Sequence, residues 1–364
     1  MESFDITFLS INDDETNPND AVSKLLEKSG FKAITQGIAL MFEGMEKAHN
    51  KINQIINDYD VIIGHGWLGE LEAEMNYKLF IRVSISPNLA AQITKTIPSK
   101  IAKIIGNCFL KQLILKPYNA FRNKYGGTNI DIKQIQTKPL FLPLPNLLTK
   151  GLNFKDSVFQ SNYWFPDQKD IDVPERLNEF FKKKKKRILL NLGSMTWANK
   201  NLNFIISEFI EASSEYDLDV LWIGTQINSN ILPKKSNVQF FQLEQFPHQY
   251  IFPKIDIIAH HCGLGTTCSV LRSAIPSIPV PFVVDQIDWA KKLYKMKIAS
   301  KPIRVNELNK QEIIKRIHFI ITNNYFQDSL KIIQNYMNEQ KNTADAVKKI
   351  IEFYTTAQLN KEKE

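Results

Sequence analysis

The chain has 364 residues, 43% of them hydrophobic, and a formal net charge of +8. That length holds two domains of ordinary size, each with a sizeable core. No apolar run reaches the ~20 residues of a transmembrane helix. The acidic start Met1-Glu2-Ser3-Phe4-Asp5 lacks the parts of a signal peptide, so the sequence reads as cytosolic. Cys108, Cys262 and Cys268 stand in no metal-ligand spacing and fit a reducing compartment. Much of the positive excess lies in Lys182 to Lys186 with Arg187. No aromatic residues interleave with that run, so it argues against nucleic acid. It reads as a solvated linker entering a strand, with an anionic membrane surface as the alternative.

In chain order, Phe4, Ile6 and Phe8 mark a short strand, and Ala21 to Lys28 a helix stopped by Gly30. Ile38, Met41, Phe42, Met45, Ile52, Ile55 and Ile56 recur at helical spacing over 38–57. Asp60 to Gly66 is a buried strand running into a loop, and Leu79 to Pro87 is another strand. Ile101 to Phe121 reads as an amphipathic helix. A proline-studded stretch, Pro139 to Pro145, closes a first domain of residues 1–145. Residues 146–186 connect, with a helix over Pro174 to Phe181. A second domain, 187–345, alternates: strand 187–192, helix 201–213, strands 218–223, 238–241 and 255–259, helix 266–274, strand 278–284, helix 287–296. Residues 346–364 are a C-terminal helix and tail. Such alternation means parallel sheets covered on both faces, an α/β class.

The most informative stretch is His260-His261-Cys262-Gly263-Leu264-Gly265-Thr266-Thr267. An apolar strand leads in and an apolar-periodic helix leads out. Strand, small-residue turn and helix make a phosphate cradle. Its glycines let amides approach an anion, and the new helix points its positive end there. Thr266 and Thr267 carry hydroxyls that can cap the helix or meet a phosphate oxygen. Cys262 sits where a helix end could lower a thiol pKa, although a small residue tolerated in a tight turn is the simpler reading. The next strand runs into Asp285-Gln286, at the sheet end where α/β ligands bind.

Phe246-Pro247-His248-Gln249-Tyr250-Ile251-Phe252-Pro253, the HHCGLGTT turn, Pro279-Val280-Pro281-Phe282 and Asp285-Gln286-Ile287-Asp288-Trp289-Ala290 occur in that order. Together they resemble the donor signature of UDP-dependent glycosyltransferases. The version most like it is that of the sterol 3-beta-glucosyltransferase-like branch, which reads PHDWLFP, HHGGAGTT and VPFFGDQPFWA. Upstream, Ser161-Asn162-Tyr163-Trp164-Phe165 resembles its GYWF stretch, and Leu190-Asn191-Leu192-Gly193-Ser194-Met195 its FGSM turn.

The resemblance implies the GT-B fold: two Rossmann-like domains facing a cleft, acceptor on 1–145 and UDP-sugar on 187–345. It implies transfer of glucose from UDP-glucose to a hydroxyl of a lipid, a sterol foremost, with inversion and without a metal. No cofactor beyond the donor substrate is expected, and contact with a membrane periphery is. The alternative is a degenerate or fragmentary relative that binds nucleotide sugar without efficient turnover. By resemblance, His261 meets the diphosphate, with the amides of Leu264, Gly265 and Thr266 and the Thr266 hydroxyl beside it and Gly263 in the same turn of the UDP-sugar site. Ser194 approaches the phosphates from the other side. Asp285 and Gln286 hold the sugar hydroxyls. His248 meets the base or ribose, and Phe246 offers an apolar wall. His260 packs behind the turn. Trp289 closes the sugar pocket or only packs.

Two DxD strings, Asp170-Ile171-Asp172 and Asp217-Leu218-Asp219, are badly placed for a metal and read as solvated carboxylates. No GxGxxG follows the first strand, against an NAD-dependent dehydrogenase. The family's GSRGD-like N-terminal loop, which supplies the acceptor-side base, has no counterpart. The first domain is therefore expected to be truncated at its N-terminus. His65, at a strand's carboxyl end, and Asp13, with Asp14 beside it, are the candidate bases.

Overall fold

The computed structural model describes residues 31–85, 111–166, 168–193, 202–227, 237–282, 284–339 and 342–361. The chain divides into two compact units, Met1–Trp164 with Lys341–Glu364, and Phe165–Gln340. The division falls inside the 146–186 connection.

In the first unit, α1 (Phe31–Ile55) leads to β1 (Val61–His65), α2 (Glu70–Met75) and β2 (Leu79–Val83). A π-helical turn, Lys111–Leu115, runs into α3 (Lys116–Lys124), so the helix expected to end at Phe121 continues past it. Then come α4 (Ile132–Thr137), β3 (Leu140–Pro143) and β4 (Val158–Ser161). Asp131 and Gln134 form a capping box that starts α4. The strands pair in parallel in the order β1-β2-β3-β4. Strand β1 was expected to be buried, yet Ile63 is 53% exposed. Among the described residues β1 pairs only with β2, so it is an edge strand of that sheet.

Met45 of α1, Leu71 of α2, and Leu115, Tyr118 and Phe121 form one apolar cluster of this unit. Beside it lies a buried charge network that hydropathy does not reveal. The Glu70 carboxylate accepts from Arg82 Nη2 at 3.0 and 3.1 Å, Tyr118 Oη at 3.0 Å and Lys138 Nζ at 2.6 Å. Burial alone would raise its pKa; Arg82 and Lys138 outweigh that and hold it below the ordinary value.

The second unit opens with α5 (Glu175–Lys182), β5 (Arg187–Asn191), α6 (Leu202–Ser214), β6 (Asp219–Ile223) and β7 (Phe240–Leu243). There follow α7 (His248–Ile251), β8 (Ile257–His260), α8 (Leu264–Ser273), β9 (Ser277–Pro279) and α9 (Val284–Lys295). Helices α10 (Lys310–Thr322) and α11 (Tyr325–Glu339) complete it. Its five parallel strands run β7-β6-β5-β8-β9. From β5 the chain steps outward one way to β6 and β7, then returns to lay β8 and β9 on the other side. The switch point therefore lies between β5 and β8, and the carboxyl ends of these strands are where open α/β sheets bind ligands. Strands β5, β6 and β8 are buried throughout, as strands covered on both faces must be. Leu177 and Phe180 of α5 pack with Leu189, Leu221, Ile258 and Val270 in this core.

Two expectations need correction here. The strand expected over 278–284 stops at Pro279, and α9 begins at Val284. Pro279 and Pro281 have no N–H to continue a ladder. Asp285 and Gln286 thus occupy the first turn of a helix. The second DxD string is not solvated at Asp219, which is 1% exposed. Asp219 Oδ1 accepts from Gln239 N–H at 2.8 Å and lies 3.3 Å from Lys185 Nζ, which also binds Asp217 at 2.8 Å. Asp170 and Asp172 are exposed, as expected. Within the basic run, Arg187 is buried and donates to the carbonyls of Phe180 and Phe181, both at 3.1 Å, at the end of α5.

The C-terminal helix α12 (Thr343–Lys361) belongs to the first unit. Ala346 packs with Ile81 and Phe141, and the Phe353 ring lies 6.1 Å from that of Phe141. Among the described residues no helix is long and apolar enough to cross a membrane.

Candidate functional site

The carboxyl ends of β5 and β8 each run into a turn. At the end of β8, Cys262 takes a left-handed backbone with φ 63°. Gly263 is the N-cap of α8, and no side chain caps the helix. Neither Thr266 nor Thr267 does so, because both lie inside the helix; both are buried, and the Thr267 hydroxyl has no partner among the described residues. The first internal hydrogen bond runs from Thr267 N–H to Gly263 O at 2.9 Å. The amides of Leu264, Gly265 and Thr266 precede it and point off the positive helix end. The Cys262 thiol is fully buried, and burial pushes its pKa well above the ordinary value, so it is not an activated nucleophile.

The second turn follows β5. Asn191, at the strand end and 5% exposed, ties the site together. Its main-chain O faces His261 Nδ1 at 3.3 Å and accepts His261 N–H at 3.3 Å. Its Oδ1 accepts Gly193 N–H at 3.1 Å. Its Nδ2 meets His248 Nε2 at 3.2 Å, and His248 Nδ1 meets Ser269 Oγ at 3.1 Å. Both ring nitrogens of His248 are thus engaged within the protein, and its ring stacks on Phe252 at 4.3 Å. The His261 ring lies between Gly193 and Gly263. A Cβ on Gly193 would come within 2.4 Å of the imidazole and one on Gly263 within 2.2 Å, closer than such contacts allow, and Gly193 also has φ 65°. Glycine is needed at both places to seat this ring.

Burial lowers the pKa of all three histidines. His248 is brought to about 4, with the Arg272 and His261 charges adding to burial. His260, fully buried behind the turn, is brought to about 3. His261 lies below the ordinary value because burial outweighs the Asn191 carbonyl and Asp285. All three are neutral near neutral pH.

Asp285 is exposed in the first turn of α9, near enough for its charge to act on His261. Gln286 is buried, and its Oε1 accepts Phe282 N–H at 2.8 Å. Trp289 is buried, with Lys292 Nζ 4.5 Å from its ring. Phe246 packs on the core cluster, its ring 5.5 Å from that of Tyr250. The structure brings His248, His261, Gly263, Leu264, Gly265, Thr266, Asp285 and Gln286 to one end of one sheet. Ser194, Asp13 and Asp14 lie outside the described residues. His65 is exposed at the carboxyl end of β1, in the other unit. Sequence reasoning assigned Asn191 no role; its place at a strand end two residues before a turn glycine was the available signal.

No protein-family model matches the chain. It is 25% identical over 237 residues to a sterol 3-beta-glucosyltransferase of Saccharomyces cerevisiae, a match covering 62% of this chain and 19% of that one. It is 23% identical over 264 residues to a sterol 3-beta-glucosyltransferase of Arabidopsis thaliana, covering 71% and 39%. The chain thus spans well under half the length of either relative. Among solved structures, the glycosyltransferase VinC in complex with dTDP superposes with a TM-score of 0.68 at 15% identity, covering 96% of this chain and 84% of that one. The glycosyltransferase SnogD from Streptomyces nogalater gives 0.65 at 13%, covering 95% and 86%. The fold is that of the GT-B glycosyltransferases. In sequence the chain is related to the sterol glucosyltransferase-like branch of the UDP-dependent enzymes.

Proposed function

We propose that this chain transfers a glucosyl group from UDP-glucose to the hydroxyl of a lipid acceptor, a sterol foremost, with inversion and without a metal. The observation that carries the reading is the convergence of His261 with the uncapped amino end of α8 at the switch point of the second sheet. The names of the sequence relatives support the acceptor class, and the dTDP in VinC supports a nucleotide sugar.

In this reading the amides of Leu264, Gly265 and Thr266 and the His261 ring face the diphosphate. They meet the negative charge that grows on it as the glycosidic bond breaks. Asp285 and Gln286 hold the sugar hydroxyls. Phe246 walls the uracil, while His248 acts through Asn191. The acceptor hydroxyl loses its proton to a base and attacks the anomeric carbon from the face opposite the leaving UDP, giving a β-glucoside. His65 is the described candidate for that base. The enzyme works in the cytosol and meets membranes at their periphery to reach its acceptor.

Incubation of the purified chain with UDP-glucose and a sterol panel, with and without EDTA, tests this. The expected product is a steryl β-glucoside, formed equally in both conditions and reduced in His65→Ala. Product that requires a divalent metal would overturn the metal-free reading. UDP-glucose binding with no glucoside from any sterol would favour the non-transferring alternative.

A further inference from the structure

We infer that binding of the nucleotide sugar takes up one proton, and that His261 receives it; this rests on the donor-site reading above. Three histidines crowd the end of β8, and their partners fix where each proton sits. Gly193 N–H donates to Asn191 Oδ1, which orients that amide and turns its NH₂ toward His248 Nε2. An NH₂ group has no lone pair to offer, so His248 Nε2 is the acceptor. Its proton is on Nδ1, toward Ser269 Oγ. His260 Nδ1 accepts Cys262 N–H at 3.3 Å inside a fully buried environment. Neither ring can gain a proton without breaking a buried bond.

His261 differs from both. Its Nδ1 faces a carbonyl oxygen, which can only accept, so the proton of the neutral ring is on Nδ1. Nε2 is left as a bare lone pair, with no partner shown among the described residues. A diphosphate also offers only lone pairs there. The neutral ring would set acceptor against acceptor. The imidazolium keeps Nδ1–H on Asn191 O and presents Nε2–H to the phosphate, a charge-assisted bond. The titratable groups that interact with the ring are His260 on β8, His248 on α7 and Asp285 on α9, with Arg272 on α8 acting on His248 and the neutral Cys262 thiol next in the chain. Of these only Asp285 favours the charged ring; the bound anion supplies the rest. Binding therefore raises the His261 pKa. Affinity is greatest at low pH and falls as pH rises from the free towards the bound value, approaching about tenfold per pH unit.

UDP-glucose is the suitable probe, because its diphosphate is esterified at both ends and holds no group that titrates near neutrality. Calorimetric titration in buffers of different ionisation enthalpy counts the protons. At about pH 7.5, where an unshifted histidine is mostly neutral, uptake is expected to approach one proton per site. His261→Gln, with its fold checked by thermal unfolding, is expected to bind more weakly with no uptake. Nitrogen-15 ring spectra are expected to show the Nδ1–H tautomer in the free protein and the imidazolium in the complex. Tight binding without proton uptake would overturn the proposal and leave the donor site standing. Uptake undiminished in His261→Gln would place the proton elsewhere and overturn it too. A chain that does not bind UDP-glucose at all would remove the donor site, and the proposal with it.

Discussion

At the scale of the residue, the site depends on what is missing from two positions. Gly193 and Gly263 leave room for the His261 imidazole, and a methyl at either would displace it. Gly263→Ala has an ordinary backbone, so it should fold while losing at least tenfold in UDP-glucose affinity. Gly193→Ala adds strain at φ 65°, on the order of 1–3 kcal/mol. Its melting temperature should fall along with its affinity; calorimetry and thermal unfolding read the two effects apart. The same histidines make stability depend on pH. His248 and His260 titrate at about 4 and about 3 when folded, and at an ordinary value near 6.5 when unfolded. Below that ordinary value the unfolded chain binds more protons, so stability is lost as pH falls from about 6.5 toward about 4. Urea midpoints across that window should decline, and His260→Phe should decline less. A flat profile would contradict the buried, neutral assignment.

Among the elements, the sequence made β8, the turn and α8 legible because apolar run, glycines and helical periodicity each point to the same change of structure. What it concealed were pairings. His248 fell on a motif position, yet nothing local tells that Asn191, 57 residues away, occupies its Nε2. Asp219 looks solvated beside Asp217 until β6 draws it inward against Lys185. Strand β9 looked longer because Ile278 to Val284 is apolar, and the absence of proline donors decides where it ends. The charges around Glu70 join α2, β2, α3 and Lys138 through contacts up to 68 residues apart. Glu70→Gln leaves Arg82 buried without its counter-charge, and breaking such a pair costs roughly 3–5 kcal/mol. Urea unfolding of the variant should show a loss of that size. A loss below about 1 kcal/mol would mean the pair is solvated, as surface pairs are.

For the whole molecule, composition and alternation were enough for two α/β units, while the partition of the chain was not. Helix α12 follows the second unit in sequence but covers Ile81 and Phe141 of the first. Removing residues 343–361 should uncover that core and raise hydrogen exchange in β2 and β3, with α8 and α9 unaffected. The functional account rests on the second unit: a nucleotide sugar bound where β5 and β8 end, its diphosphate against His261 and the amino end of α8. Titration calorimetry of UDP-glucose into the wild-type chain and His261→Ala, both in EDTA, tests that most directly. A charge-assisted hydrogen bond contributes roughly 1.5–3 kcal/mol. The wild-type chain should bind without metal, and the variant should bind at least tenfold more weakly. Equal dissociation constants for the two proteins, or no binding by the wild type, would contradict the account.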